Sequence, residues 1–234
     1  MTPADVNVPE TRLTEEQLQF LLQTDSPTLA NAIEPFTVRD RCDGFIGGAV
    51  GCLFPELGVL VGHALTVTMT NRPGEIAGRD GFWRMWEALE RMPRPSVLVV
   101  ADASGEPTRC AYCGEVMATL ATRLGAVGMV TDGGVRDLDE VRALGFRYFA
   151  PFAVVSHGNF SIEEIGVPVV IDGQEIRTGD ILHGDANGIV IVPPETLDGL
   201  PEVVERIRTR ERQMMDFAKG ADFTVAGARE LSGY

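Results

Sequence analysis

The chain has 234 residues and a net charge of −14, from 20 Lys and Arg against 34 Asp and Glu, with no basic run; phosphate-driven nucleic-acid binding is therefore not expected. No apolar stretch reaches the roughly 18 residues needed to span a bilayer, and the opening M-T-P-A-D-V-N-V has neither a basic n-region nor an apolar h-region, so no membrane partner and a cytoplasmic location are expected. The length suits one large domain, or a domain with extended ends, with a substantial core.

Residues 1 to 13 have little pattern and read as an arm. Thr14 to Gln23 reads as a helix opened by a Thr14-x-x-Gln17 capping box, and Ser26-Pro27 opens a second, with Ser26 as N-cap and Pro27 at the first helical position. Arg41 to Pro55 is glycine-rich and loop-like. Val59 to Thr70 has the β-branched density of a long strand, Phe82 to Arg91 is helical, and Ser96 to Ala101 is an unbroken apolar run suited to a strand buried on both faces.

After a loop from Asp102 to Cys113 comes the stretch on which the reading turns, Gly114 to Asp137. Val116, Met117, Leu120, Ala121 and Leu124 are spaced as one helix face, with Gly125 as C-cap. A strand follows from Ala126 to Val130, and a Gly133-Gly134 turn delivers Val135, Arg136 and Asp137 to another helix, Leu138 to Leu144, stopped by Gly145. Short strands are predicted at Tyr148 to Ala150, Val167 to Ile171, Asp180 to Leu182 and Gly188 to Val192. Pro201 to Lys219 is the longest helix; its stripe of Leu200, Val204, Ile207, Met214 and Ala218 also contains Glu211, a carboxylate out of place on an apolar face.

The start of the helix near Gly114 offers N–H groups without intrahelical partners at the positive end of its dipole, so a small carboxylate fits against Glu115, Val116 and Met117. Arg136 would close over it as a bidentate clamp. Glu115 and Asp137 would be hard oxygen donors for Mg2+ or Mn2+. Each residue also has a plainer reading: Asp137 as the N-cap of a D-x-x-E box answered by Glu140, Arg136 as a surface arginine paired with Asp139 or Glu140, and Glu115 as a first-turn acid on the helix dipole.

The spacing Glu115, twenty residues, Arg136-Asp137 resembles the D-x20-R-D signature of the RraA-like superfamily, and G-E-V-M-A-T-L-A, D-G-G-V-R-D-L-D-E-V and G-D-I-L-H-G-D-A-N-G-I-V-I-V-P resemble its surrounding words over roughly residues 25 to 218. Glu115 stands where the aldolase signature usually has Asp, and Ala30-Asn31-Ala32-Ile33 where the family commonly has S-D-A-L. The superfamily includes class II pyruvate aldolases that cleave 4-hydroxy-4-methyl-2-oxoglutarate and 4-carboxy-4-hydroxy-2-oxoadipate, and regulators of ribonuclease E activity.

The resemblance implies an α/β fold, an αββα sandwich with a mixed sheet of the swivelling β/α/β type, assembled as a homotrimer or homohexamer. It divides the chain into an arm and helix (1 to 24), the RraA-like domain (25 to 200) and an intersubunit C-terminal helix and tail (201 to 234). It further implies a divalent-metal lyase that releases pyruvate from a 4-hydroxy-2-oxo acid, with oxaloacetate decarboxylation as a side activity. Arg136, Asp137 and Glu115 would be catalytic, Gly114, Val116, Met117 and Arg136 would bind substrate, and Asp137, Glu115 and Glu211 of a neighbouring subunit would hold Mg2+ or Mn2+. The alternatives are a non-catalytic regulator that binds a ribonuclease, or a related lyase or hydratase on another small acid.

Four cysteines are too few for a disulfide framework at this length and are read as free thiols. Cys110 and Cys113 have C-x2-C spacing but no second pair to complete a zinc site. Asp180 and Asp185 read as Asx-turn residues, Asp102 as a site-wall candidate, and His63, His157 and His183 as ordinary buried or surface histidines.

Overall fold

The computed structural model describes residues 6, 8–9, 12–72, 74 and 80–232. Most of the expected arm therefore lies outside the described residues, although Val6 is buried. The first helices are α1 (Glu15–Leu22) and α2 (Ser26–Ile33). In α1 the capping box forms as expected: Gln17 N–H donates to Thr14 Oγ1 at 3.1 Å, and Thr14 N–H to Gln17 Oε1 at 3.0 Å. The cap of α2 differs. Asp25, not Ser26, accepts from Thr28 N–H at 2.9 Å, which moves Ser26 into the helix.

Short strands β1 (Phe45–Ile46) and β2 (Gly51–Cys52) precede the 12-residue β3 (Leu60–Asn71). Then come α3 (Asp80–Arg91), β4 (Ser96–Asp102), β5 (Ala111–Cys113), α4 (Glu115–Leu124), β6 (Ala126–Thr131), β7 (Gly134–Val135) and α5 (Leu138–Ala143). The second half is β-rich: β8 (Arg147–Ala150), β9 (Phe152–Ala153), β10 (Phe160–Ile165), β11 (Val169–Ile171), β12 (Gln174–Ile176), β13 (Ile181–Asp185) and β14 (Gly188–Val192). The chain closes on the 20-residue α6 (Leu200–Lys219) and on α7 (Val225–Ser232).

The main sheet is mixed and ordered β1-β14-β13-β3-β4-β6-β8-β2. Its centre, β3, β4, β6 and β8, is parallel. The length of β3 has a use: its first residues pair antiparallel with β13 and its last with β10. Alternation along β3 divides the core. Leu65, Val67 and Met69 join a cluster with α3, α4 and α5, whereas Leu60 and Ala64 join one that includes the β11-β12 hairpin. A third cluster packs α1, α2 and the first half of α6 onto β13 and β14. The α/β class, the mixed sheet and the long terminal helix are as expected; β1 and β2 in the stretch read as loop, β5 in the loop before α4, and β7, β9, β10, β12 and α7 are additions. Among the described residues no helix is long and apolar enough to cross a membrane.

His183 is fully buried and belongs to this frame. Its Nε2 lies 3.0 Å from Leu21 O and 2.9 Å from Thr24 O, and its Nδ1 3.0 Å from Ser26 Oγ. Two carbonyls require N–H at Nε2, and burial disfavours the charged ring, which leaves Nδ1 to accept from the serine. Burial lowers its pKa, as it does for His63. An unfolded imidazole takes up a proton below about pH 6.5 that the buried ring does not. The stability from these rings is thus complete above that pH and is lost as pH falls toward their lowered folded values. Unfolding at pH 6 is expected to take up protons, measurable with an indicator dye; proton release would contradict the assignment.

Candidate active site

Parallel strands β4 and β6 end on the same side of the sheet, where α4 begins, the edge at which α/β proteins commonly place ligands. Past β6 the chain must turn against the Tyr112 ring. A Cβ on Gly133 would lie 2.3 Å from that ring, and one on Gly134 2.9 Å from Cys110 O; the double glycine permits this close approach. Strand β7 then pairs between β5 and β9 and brings Arg136 and Asp137 beside Gly114.

Asp137 takes the left-handed conformation, φ 56° and ψ 48°. It stands at the N-cap position of α5 but makes no side-chain cap there, so the D-x-x-E reading is not realised; capping side chains normally project from extended backbone. The carboxylate instead reaches the start of α4, where Oδ2 accepts from Glu115 N–H at 2.9 Å. Gly114, the N-cap of α4, has no side chain to offer, and Asp137 fills that role by accepting from Glu115, 22 residues before it. Arg136 Nε lies 3.7 Å from the same oxygen, with both side chains 37% exposed. Nη1 of Arg136 reaches Val155 O at 3.5 Å.

This changes the expected anion site in one respect. The Glu115 N–H is already taken by Asp137, whereas the amides of Val116 and Met117 have no acceptor among the described residues. An incoming carboxylate would meet those two N–H groups and the guanidinium. Glu115 points its side chain into solvent, Val116 is 71% exposed and Met117 is half-buried.

Glu211 is placed elsewhere. Only the first half of the α6 stripe packs, through Leu200, Val204 and Ile207; Glu211 lies beyond it and is exposed. Among the described residues no group of three or more His, Cys, Asp or Glu is arranged to hold a metal ion. One chain therefore presents a pair of acids, Asp137 and Glu115. Such a pair fits Mg2+, which keeps most of its waters and takes one or two carboxylates, and Asp137 has a second oxygen with no hydrogen bond among the described residues.

A second acidic pair lies at the ends of β4 and β6. Asp102 N–H donates to Asp132 Oδ1 at 2.7 Å. The Asp102 carboxylate accepts from Tyr112 Oη, from Ser104 Oγ at 2.6 Å and from Gly105 N–H at 2.8 Å. Asp102 thus organises the loop before β5, and burial raises the pKa of Asp132. Sequence reading passed over Asp132 and Tyr112; the signal for Asp132 was its place directly before the double glycine. Asp185 behaves as the expected Asx residue, accepting from Asn187 N–H at 2.7 Å, and also holds Ser26 N–H at 2.8 Å.

Cys110 and Cys113 are buried, and burial pushes each thiol up to about 12. The thiolate is the reactive form, so iodoacetamide at pH 8 is expected to label exposed Cys42 and to spare both; rapid native labelling of either would show a more open loop.

The fold and the site define a mixed α/β protein with an arginine, an acid from a neighbouring turn and two open amides meeting at one helix start. More particularly, the chain belongs to the RraA-like family (Aldolase/RraA), whose model matches residues 28–191. A Halalkalibacterium halodurans protein named "Putative 4-hydroxy-4-methyl-2-oxoglutarate aldolase" is 36% identical over 42% of this chain and 47% of its own. Protein DlpA of Legionella pneumophila is 28% identical over 98% of this chain and 35% of its own. The chain thus spans less than half the length of either relative. Among solved structures, RraAS2 of Streptomyces coelicolor, described as an unusual member of the RNase ES inhibitor RraA family, superposes with a TM-score of 0.68 at 22% identity, covering 91% of this chain and 100% of that one; this likeness is one of fold.

Proposed function

We propose that the protein is a divalent-metal lyase that cleaves a 4-hydroxy-2-oxo acid to release pyruvate. The observation that carries the reading is the convergence of Arg136, the Asp137 carboxylate and the open amides of Val116 and Met117 at one helix start. The substrate carboxylate would lie on those amides and on Arg136, which orients the 2-oxo group toward Asp137. Asp137 and Glu115, with Glu211 of a neighbouring copy, would hold Mg2+ or Mn2+. When bound, the metal supplies Lewis acidity at the 2-oxo oxygen.

A water or hydroxide in the site would take the proton of the C4 hydroxyl. C4 becomes a carbonyl, the electron pair of the C3–C4 bond passes to C3 to give the enolate of pyruvate, and that water returns a proton to C3. Arg136 stabilises the negative charge that spreads over the oxo acid as this bond breaks. Oxaloacetate decarboxylation passes through the same enolate and is the expected side activity. A neighbour's Glu211 requires an assembly, for which a homotrimer or homohexamer is the proposed form; the exposed outer half of α6 is available for it.

EDTA is expected to abolish pyruvate release, and added Mg2+ or Mn2+ to restore it. The sequence holds a single lysine, Lys219, at the far end of α6, so borohydride in the presence of substrate should trap no adduct; a covalent pyruvate would point to Schiff-base chemistry. The rival is a non-catalytic ribonuclease-binding regulator, favoured by the fold likeness to RraAS2, described as an unusual member of the RNase ES inhibitor RraA protein family. Absence of turnover on any oxo acid, with capture of an RNA-degrading enzyme, would decide for it.

A further inference from the structure

Tyr148 on β8 is fully buried. Its ring sits between Phe54, 5.6 Å away, and Phe146, 6.0 Å away and perpendicular. From there its hydroxyl donates to Arg136 O at 3.4 Å. On its other side the Arg136 peptide donates from N to Cys113 O at 2.9 Å. Arg136 is therefore held on both sides of its Cα, through its own N–H and through the carbonyl that leads into Asp137. Asp137 follows in a left-handed conformation that is uphill for any residue with a Cβ, and in that conformation its carboxylate accepts from Glu115 N–H.

We propose that Tyr148 is a positioning residue: its hydroxyl fixes the Arg136 carbonyl and thereby the conformation that aims the Asp137 carboxylate at the start of α4. The catalytic consequence rests on the lyase reading; the conformational one does not. Phenylalanine fills the same space between Phe54 and Phe146, so packing and positioning are separable.

The test is Tyr148→Phe, read by native-state hydrogen exchange and by kinetics. Losing one long hydrogen bond is expected to speed exchange of the Glu115 amide roughly threefold to tenfold. The Ser96 amide, bonded to Gly125 O at the opposite end of the sheet, should be unchanged. Turnover of a 4-hydroxy-2-oxo acid should fall by a similar factor, and in an Asp137→Ala background Tyr148→Phe should cause no further loss. Cys113→Ala, which keeps the hydroxyl, should leave Glu115 exchange within about twofold of wild type. An unchanged Glu115 amide in Tyr148→Phe, an equal rise at Ser96, or an equal effect of Cys113→Ala would each overturn the proposal. If the wild type turns over no oxo acid while Tyr148→Phe still loosens Glu115, the lyase reading fails and the positioning role stands.

Discussion

Arg136→Ala and Asp137→Ala are each expected to lower pyruvate release from a 4-hydroxy-2-oxo acid by on the order of 10²–10³-fold, the usual cost of removing one group that stabilises developing charge. Coupling to lactate dehydrogenase measures it. In the proposed site Arg136 supplies the guanidinium and Asp137 the carboxylate beside it, so neither loss would be made good by a neighbour. Asp137→Ala also removes the acceptor of Glu115 N–H, a cap worth about 1 kcal/mol. Asp137→Asn separates the two roles. The amide oxygen still accepts from Glu115 while the charge is lost, so Asn is expected to melt like wild type and to be as inactive as Ala. Full activity in Arg136→Ala or in either Asp137 variant would remove the mechanism.

Gly114→Ala is expected to lower kcat/KM by about 10²-fold, the order of loss that a displacement of about 1 Å at reacting groups causes, with a fall in Tm of only about 2–4 °C from the disturbed Asp137 cap. The backbone there, φ −144° and ψ −171°, is extended and open to any residue, so no conformational strain arises. The obstruction is local. A Cβ would stand 2.5 Å from Asp137 Oδ2 and 2.9 Å from Arg136 Nε, and both are ends of part-exposed side chains that move aside. A single methyl would thus displace both groups on which the proposed chemistry depends while leaving the core untouched. Kinetics together with a thermal melt check this; an active, unaltered variant would show that the observed Arg136-Asp137 arrangement is not the working one.

Much of the fold was legible because it depends on neighbours in sequence. The Thr14 box, Gly125 after α4 and the apolar run of β4 act over a few residues, and each stands where it was read. Ser26 was misplaced as a cap because Asp and Ser are adjacent and equally able; what decides is Asp185, which claims Ser26 N–H from 159 residues away. The strand β10 was missed because its S-I-E-E core lacks a clean alternation and carries a register shift against β3. Of the site, the residue types and the turn that presents Arg136 and Asp137 were readable, as was the exposed acid Glu115.

By itself the sequence determined the α/β class, the helix start at Gly114 and the glycine turn before Arg136, since periodicity, caps and φ freedom are properties of short segments. Only the tertiary structure decided that Asp137 caps α4 and not its own helix, that two amides of α4 and not three remain open, and that Glu211 is not gathered with the other acids in one chain. Those outcomes depend on how β5 and β7 pair and on the handedness of one residue, and pairing between distant segments is set by the whole packed sheet.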